Sequence, residues 1–260
     1  MLAFIAGICL ATPIQTGESK SIDVDGVNRT ALLYEGAAKK VKSPLIFCWH
    51  GHGQSGTVAR NLFNLQKAWP NAMVIYPDGI PGIADGGGEG ADTPGWQKYK
   101  GQAGDRDIKF FDKMLDMAKK NYKIDTKQIY CVGFSNGARF TYLLWNERAS
   151  VFAAFAAFSS QAINPDLTPT MVPKPAMISH GANDPNITKD EALPSFIKVL
   201  AVNKCNKNQH KIISDKGGAV KYTPDAGGEI TIQWIHPGGH EPPPKPGDEI
   251  VKFFKNHKLP

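Results

Sequence analysis

Short, almost uninterrupted apolar runs alternate along this chain with segments of helical period, and that alternation limits the folds open to it. "PLIFCWHG" and "AMVIYPDG" are apolar runs that stop at a glycine, and "QIYCVGF", "FAAFAAFSS" and "PAMISHG" are built the same way. Continuous apolar runs of this length read as strands buried on both faces, as in a parallel sheet. Between them, residues 105–122 carry Ile108, Phe111, Leu115, Ala118 and Tyr122 at helical spacing. Further helices are expected over 136–147 and 189–203, and "GDEIVKFFKNH" reads as a closing amphipathic helix. "SIDVDGVNRTALLYE" reads as two antiparallel strands around an Asp25-Gly26 turn. "HKIISD" or "AVKYT", then "ITIQWIHP", complete the strands. The pattern predicts an α/β fold with a mostly parallel central sheet and helices on both faces. Ligands in such folds sit beyond the carboxyl ends of the strands.

The chain has 260 residues, enough for one large domain. Its net charge is +6, but the basic residues are scattered and form no stripe interleaved with aromatics. Nucleic acid is therefore not an expected partner. The opening "MLAFIAGICLATPIQ" has an apolar run of signal-peptide length, too short to span a bilayer. Residues 1–16 are read as a signal or N-terminal extension and 17–260 as one catalytic domain, in a secreted or periplasmic protein. No second long apolar run follows, so no membrane span is expected. Of the four cysteines, Cys9 lies in the presumed signal, Cys48 and Cys131 lie in apolar strands, and Cys205 is expected to be a surface thiol. Their spacing fits neither a zinc site nor a disulfide framework. No metal or cofactor is expected.

One segment breaks the rhythm. Residues 79–104 form a long glycine-rich loop. Its "GGEGAD" fits one unit of a calcium-binding nonapeptide repeat, but that repeat builds sites only from stacked copies. The loop follows a strand's carboxyl end, so it is expected to border the ligand site, with Trp96 as an apolar substrate contact.

The chemistry is carried by "IYCVGFSNGARF". Gly133-Phe134-Ser135-Asn136-Gly137 is G-x-S-x-G between a predicted strand and a predicted helix, the context that gives the motif weight. The sharp reversal leaves no room for side chains two residues before and after the serine. Ser135 is the candidate nucleophile, and Asn136 would present its N–H at a helix N-terminus. A serine needs a base. His240, in "PGGHEPPP" beyond the last strand, is chosen over His236, which still belongs to that strand. The orienting acid is Asp184 in "MISHGANDPNI", at the end of another strand. "FCWHGHGQSG" offers a second oxyanion donor, assigned to the backbone of His52.

These pieces together resemble the α/β-hydrolase superfamily. Within it they are similar to the polyhydroxybutyrate-depolymerase-like and feruloyl-esterase group of family 1 carbohydrate esterases. The resemblance runs from about Ser21 to the C-terminus. It rests on "PLIFCWHGHGQSG", "VIYPDG", "NYKIDTKQIYCVGFSNGARF", "FAAFAAFSS", "HGANDPNI" and "GGHEPPP". It implies a Ser135-His240-Asp184 triad with oxyanion donors at His52 and Asn136. The chain departs at Ala138, at "AGDRDIKFF", at Cys205, which lacks the relatives' partner cysteine, and at "GGHEPP", which lacks a tryptophan. The implied activity is a serine carboxylesterase acting on feruloyl or acetyl esters of plant polysaccharide. Two alternatives stay open: a polyester depolymerase, and a non-catalytic binding protein of the same fold.

Overall fold

The computed structural model of the chain describes residues 16–38, 40–84, 90–162, 171–214 and 218–260. The apolar run and Cys9 within residues 1–15, and residues 85–89 of the glycine-rich loop with part of "GGEGAD", lie outside the described residues.

A hairpin opens the fold. Strands β1 (Glu18–Val24) and β2 (Val27–Tyr34) pair antiparallel, from Glu18 opposite Leu33 to Val24 opposite Val27. Asp25 (φ 54°) and Gly26 (φ 82°) both take the left-handed conformation, the backbone that a two-residue hairpin turn of matching twist requires. Then come β3 (Ser43–Trp49), α1 (Gly56–Phe63), α2 (Leu65–Ala68) and β4 (Met73–Pro77). Helix α1 starts at Ser55, whose hydroxyl accepts from Val58 N–H, and stops at Asn64 in the left-handed region. The long loop leads to α3 (Arg106–Asn121), followed by β5 (Ile124–Phe134), α4 (Asn136–Arg148), β6 (Ala154–Phe158) and β7 (Ala176–Gly181). Helix α5 (Lys189–Val202) begins in a capping box between Thr188 and Glu191. Strands β8 (Cys205–Ser214), β9 (Ala219–Pro224) and β10 (Thr231–His236) and helix α6 (Pro246–Lys255) complete the order.

All ten strands form one sheet in the order β1-β2-β4-β3-β5-β6-β7-β10-β9-β8. The six strands from β4 to β10 run parallel, and antiparallel hairpins finish both edges. Side chains alternate across this sheet. On one face Leu45, Phe47, Ile129, Cys131, Phe155 and Ile178 pack under α3, α4 and α5. On the other Ile46, Cys48, Tyr130, Val132, Ala156 and Met177 pack under α1, α2 and α6. Both faces are covered, which is why the central strands carry no polar alternation. Among the described residues no helix is long and apolar enough to cross a membrane.

Three expectations change. "HKIISD" and "AVKYT" are both strand, paired as the β8–β9 hairpin. Residues 56–68 supply two short helices whose period is too brief to stand out in the sequence. Cys205 is buried rather than exposed, because β8 packs beside α5 and joins the core there, and its thiol donates to Glu229 O at 3.2 Å.

One buried ion pair ties the first hairpin to the middle of the fold. Arg29 of β2 and Asp107 in the first turn of α3 meet at 2.8 Å with side chains 1 % and 0 % exposed. The guanidinium also lies 4.3 Å over the Phe110 ring. The second carboxylate oxygen accepts from Gln97 N–H at 2.8 Å, so the pair also fastens the end of the long loop. Removing one partner leaves the other charged and buried. Asp107→Ala should therefore lower unfolding free energy in urea by about 3–5 kcal/mol. A change within ~0.5 kcal/mol would show that Arg29 finds other support.

Candidate active site

Six parallel strands end on one edge of the sheet, and the loops after β3, β4, β5, β7 and β10 carry the candidate residues. Strand β5 ends at Phe134, and Ser135 follows with φ 52° and ψ −117°. A non-glycine residue held there costs about 1–3 kcal/mol and persists only where its surroundings fix it. The surroundings are visible. A Cβ at Gly133 would collide with the Gly137 backbone and the Thr141 hydroxyl, and a Cβ at Gly137 would collide with the carbonyls of Trp49 and His50. The expected crowding at these two positions is thus backbone packed on backbone. Ser135 N–H donates to Phe158 O at 2.9 Å, which pins the turn to the end of β6.

Ser135 Oγ lies 2.9 Å from His240 Nε2, and His240 Nδ1 lies 2.8 Å from Asp184 Oδ2. A carboxylate beside Nδ1 assigns the proton to that nitrogen, which leaves the Nε2 lone pair to accept from the serine hydroxyl. The structure therefore brings together the three residues singled out from the sequence, from the ends of β5, β7 and β10. The His240 loop is held in several ways. Ala182 N–H donates to His236 O, Asn183 N–H to Gly238 O, and Asn183 Nδ2 to Pro237 O, all within 3.0 Å. A Cβ at Gly181 would strike the carbonyls of Gly238 and Gly239, so the close approach of the two loops needs glycine at the end of β7. The Phe134 ring packs against the His240 imidazole with centroids 5.1 Å apart.

Asp184 has a fully buried carboxylate. Burial alone would push its proton affinity up. The Ile187 N–H, the His240 imidazole and the Asn186 N–H together outweigh that, and the carboxyl stays below its ordinary range. Asp184 Oδ1 accepts from Asn186 N–H at 2.9 Å and from Ile187 N–H at 3.0 Å. Sequence reading passed over these two donors, although "NDPN" is the signature of an Asx turn, in which the aspartate binds backbone two and three residues on.

Asn136 is the first residue of α4, where a helix leaves its N–H groups without intrahelical partners. His52 lies in the loop after β3, its Nε2 2.7 Å from Thr93 Oγ1. His236, set aside from the sequence as a strand residue, closes β10 and is buried, its Nδ1 accepting from Gly238 N–H. Among the described residues no group of three or more His, Cys, Asp or Glu could hold a metal ion.

Trp96 does not lie where it was expected. Its side chain is fully buried, with the indole N–H donating to His50 O at 2.9 Å and the ring packed on Trp49 and Phe140. An indole with its polar atom satisfied inside the protein has no face left for a substrate.

The sequence of residues 81–214, just over half of the chain, matches the family model of the dienelactone hydrolase family. The chain belongs to the dienelactone hydrolase family. It is a hydrolase of the α/β-hydrolase superfamily that acts on ester bonds. The matched stretch contains Ser135 and Asp184 and ends before His240. Among characterised relatives, this family member is 24 % identical over 247 residues to feruloyl esterase D of Neurospora crassa, covering 88 % of this chain and 79 % of that one. It is 28 % identical over 175 residues to a bifunctional acetylxylan esterase/xylanase of Neocallimastix patriciarum. That match covers 66 % of this chain but spans only 24 % of the Neocallimastix protein. Among solved structures it is similar in fold to an acetyl xylan esterase from Aspergillus awamori, with TM-score 0.66, 13 % identity, and 92 % and 99 % of the two chains covered. It is also similar to a CE1 ferulic acid esterase from Anaeromyces mucronatus, with TM-score 0.63, 16 % identity, and 94 % and 90 % covered.

The neighbouring His50 gives this edge a pH dependence. Its imidazole is completely buried, donates from Nδ1 to Gly51 O at 2.7 Å, and accepts at Nε2 from Gly79 N–H at 2.8 Å. Both nitrogens are matched only in the neutral form, and burial, the largest influence, holds the group below its ordinary range. The unfolded chain takes up this proton near pH ~6.5, and the folded chain only at lower pH. The contribution of His50 to stability is thus full above ~6.5 and is lost as pH falls toward the folded value, by at most ~1.4 kcal/mol per pH unit. The urea midpoint should be lower at pH 5.5 than at pH 7.5, and His50→Gln should narrow that gap. An equal gap in the variant would assign the dependence to other groups.

Proposed function

We propose that the chain is an exported serine carboxylesterase working through an acyl-enzyme, with residues 17–260 as its catalytic domain. The observation that carries the reading is the pair of contacts on His240: 2.9 Å to Ser135 Oγ on one side and 2.8 Å to Asp184 on the other. Ser135 Oγ attacks the ester carbonyl as its proton passes to His240 Nε2. The tetrahedral oxyanion is received by the N–H groups of His52 and Asn136, the latter at the positive end of α4. Asp184 stays ionised and stabilises the imidazolium. The imidazolium then gives its proton to the leaving alcohol. Water, activated by the same histidine, releases the acid.

The substrate class proposed is an acetyl or feruloyl ester on a xylan-type polysaccharide. It is supported by the names of the fungal relatives, an acetylxylan esterase and a feruloyl esterase. Export is supported by the sequence of the N-terminal apolar run.

Ser135→Ala should lower kcat by on the order of 10³-fold or more while the circular dichroism spectrum is kept, and His240→Ala should cost about as much, because the two act as a unit. A fluorophosphonate probe should label wild type and neither variant. Near-wild-type turnover of purified Ser135→Ala would sink the assignment. On a panel of chromogenic esters from acetate to octanoate plus methyl ferulate, kcat/KM should peak at acetate or ferulate. A peak at the longest chains would favour a polyester-type substrate. Added chelator should leave every rate unchanged, since the mechanism needs no Lewis acid.

A further inference from the structure

Trp96 touches both backbone segments to which the oxyanion donors are assigned. Its indole N–H donates to His50 O at 2.9 Å, and its own backbone N–H donates to Asn136 Oδ1 at 2.7 Å. Its ring repeats the bridge. It lies edge-to-face on Trp49 with centroids 5.0 Å apart, and it stacks on Phe140, one turn along α4 from Asn136, at 5.7 Å. His50 stands two residues before His52, and Asn136 follows Ser135. One residue thus holds the end of β3 by a hydrogen bond and a ring contact, and the start of α4 by another of each. The loop around it adds to the clasp: Gly53 N–H donates to Pro94 O at 2.8 Å, and Thr93 Oγ1 lies 2.7 Å from His52 Nε2.

We infer that Trp96 is a positioning residue for the oxyanion site, fixing the spacing between the His52 and Asn136 N–H groups by bridging His50 O and the Asn136 side chain. The inference rests on the proposed catalytic reading and adds a residue that touches neither substrate nor reacting atoms. Its physical basis is that donors stabilise a developing charge only if they are fixed beforehand at about 2.7–3.1 Å from where the oxygen will stand. Two N–H groups on separate elements cannot be fixed by either element alone. The Asn136 side chain, one residue past the serine, serves as the link on the α4 side, and its Oδ1 has no need to face the substrate.

The test uses Trp96→Phe, which removes the indole N–H and keeps an aromatic ring, and Asn136→Ala, which keeps the backbone N–H and removes the acceptor. Each should lower kcat on a neutral chromogenic acetate ester by about 10-fold, less than the loss of a donor itself, with KM within ~2-fold of wild type. A trifluoromethyl ketone, whose serine adduct carries an oxyanion, should bind each variant more weakly by the factor lost in kcat/KM. The pH profile of kcat/KM should not move, because the base is untouched. A merely structural role would lower the melting temperature and leave kcat and ketone affinity of the folded protein at wild-type values, which would overturn the inference. Ser135→Ala with full activity would instead overturn the catalytic reading on which it rests. If Trp96→Phe does not fold, Asn136→Ala alone decides, since it leaves the ring in place.

Discussion

The first turn of α4 rests directly on the end of β3, and most of what the protein can do follows from that contact. At Gly137 the two backbones are so close that a single Cβ would collide with the carbonyls of Trp49 and His50. At Gly133 the strand that enters the turn is equally close to the helix that leaves it. A chain confined in this way cannot relax Ser135 out of its strained positive-φ conformation, because any relaxation drives backbone into backbone. The strain of one serine is small beside the packing that surrounds it, and the hydroxyl is held above the sheet edge rather than folded back as a helix cap. The same contact sets the loop after β3 beside the N-terminus of α4.

The parallel sheet turns that local arrangement into a site. Because β3, β5, β6, β7 and β10 run the same way, the loops that follow them emerge on one edge. Residues separated by 105 positions in the chain, Ser135 and His240, then lie within hydrogen-bond distance. The loops after β7 and β10 are stitched to each other by three hydrogen bonds and a glycine-sized gap. These contacts fix the position of the Asp184 loop relative to the His240 loop. The carboxylate's Oδ1 is already occupied by two N–H groups, and its Oδ2 is turned to the imidazole. Its ionised form is favoured in a buried place where an unpartnered carboxylate would take up a proton.

In the long glycine-rich loop, Trp96 has a different part from the one its setting suggests. The loop's end is drawn into the interior by polar pairings: Gln97 N–H to Asp107, Trp96 N–H to Asn136, and the Trp96 indole to His50 O. These three pairings seat that end of the segment in the core rather than leave it as a surface flap.

The sequence by itself determined the order and type of the main elements, because buried parallel strands and amphipathic helices impose different periods on the apolar residues. It also marked Ser135, Asp184 and His240, since G-x-S-x-G between strand and helix, an aspartate in the turn that ends an apolar strand and a glycine-flanked histidine after the last strand are local patterns. What it could not give is anything decided by which segments pack together. Trp96 in a glycine-rich loop reads as an exposed aromatic until the fold places Trp49, Phe140 and the His50 carbonyl around it. Cys205 among lysines and asparagines reads as a surface thiol until β8 is laid beside α5. The sequence registers spacing along the chain, whereas burial depends on neighbours that are distant in the chain, and only the tertiary structure brings those neighbours together.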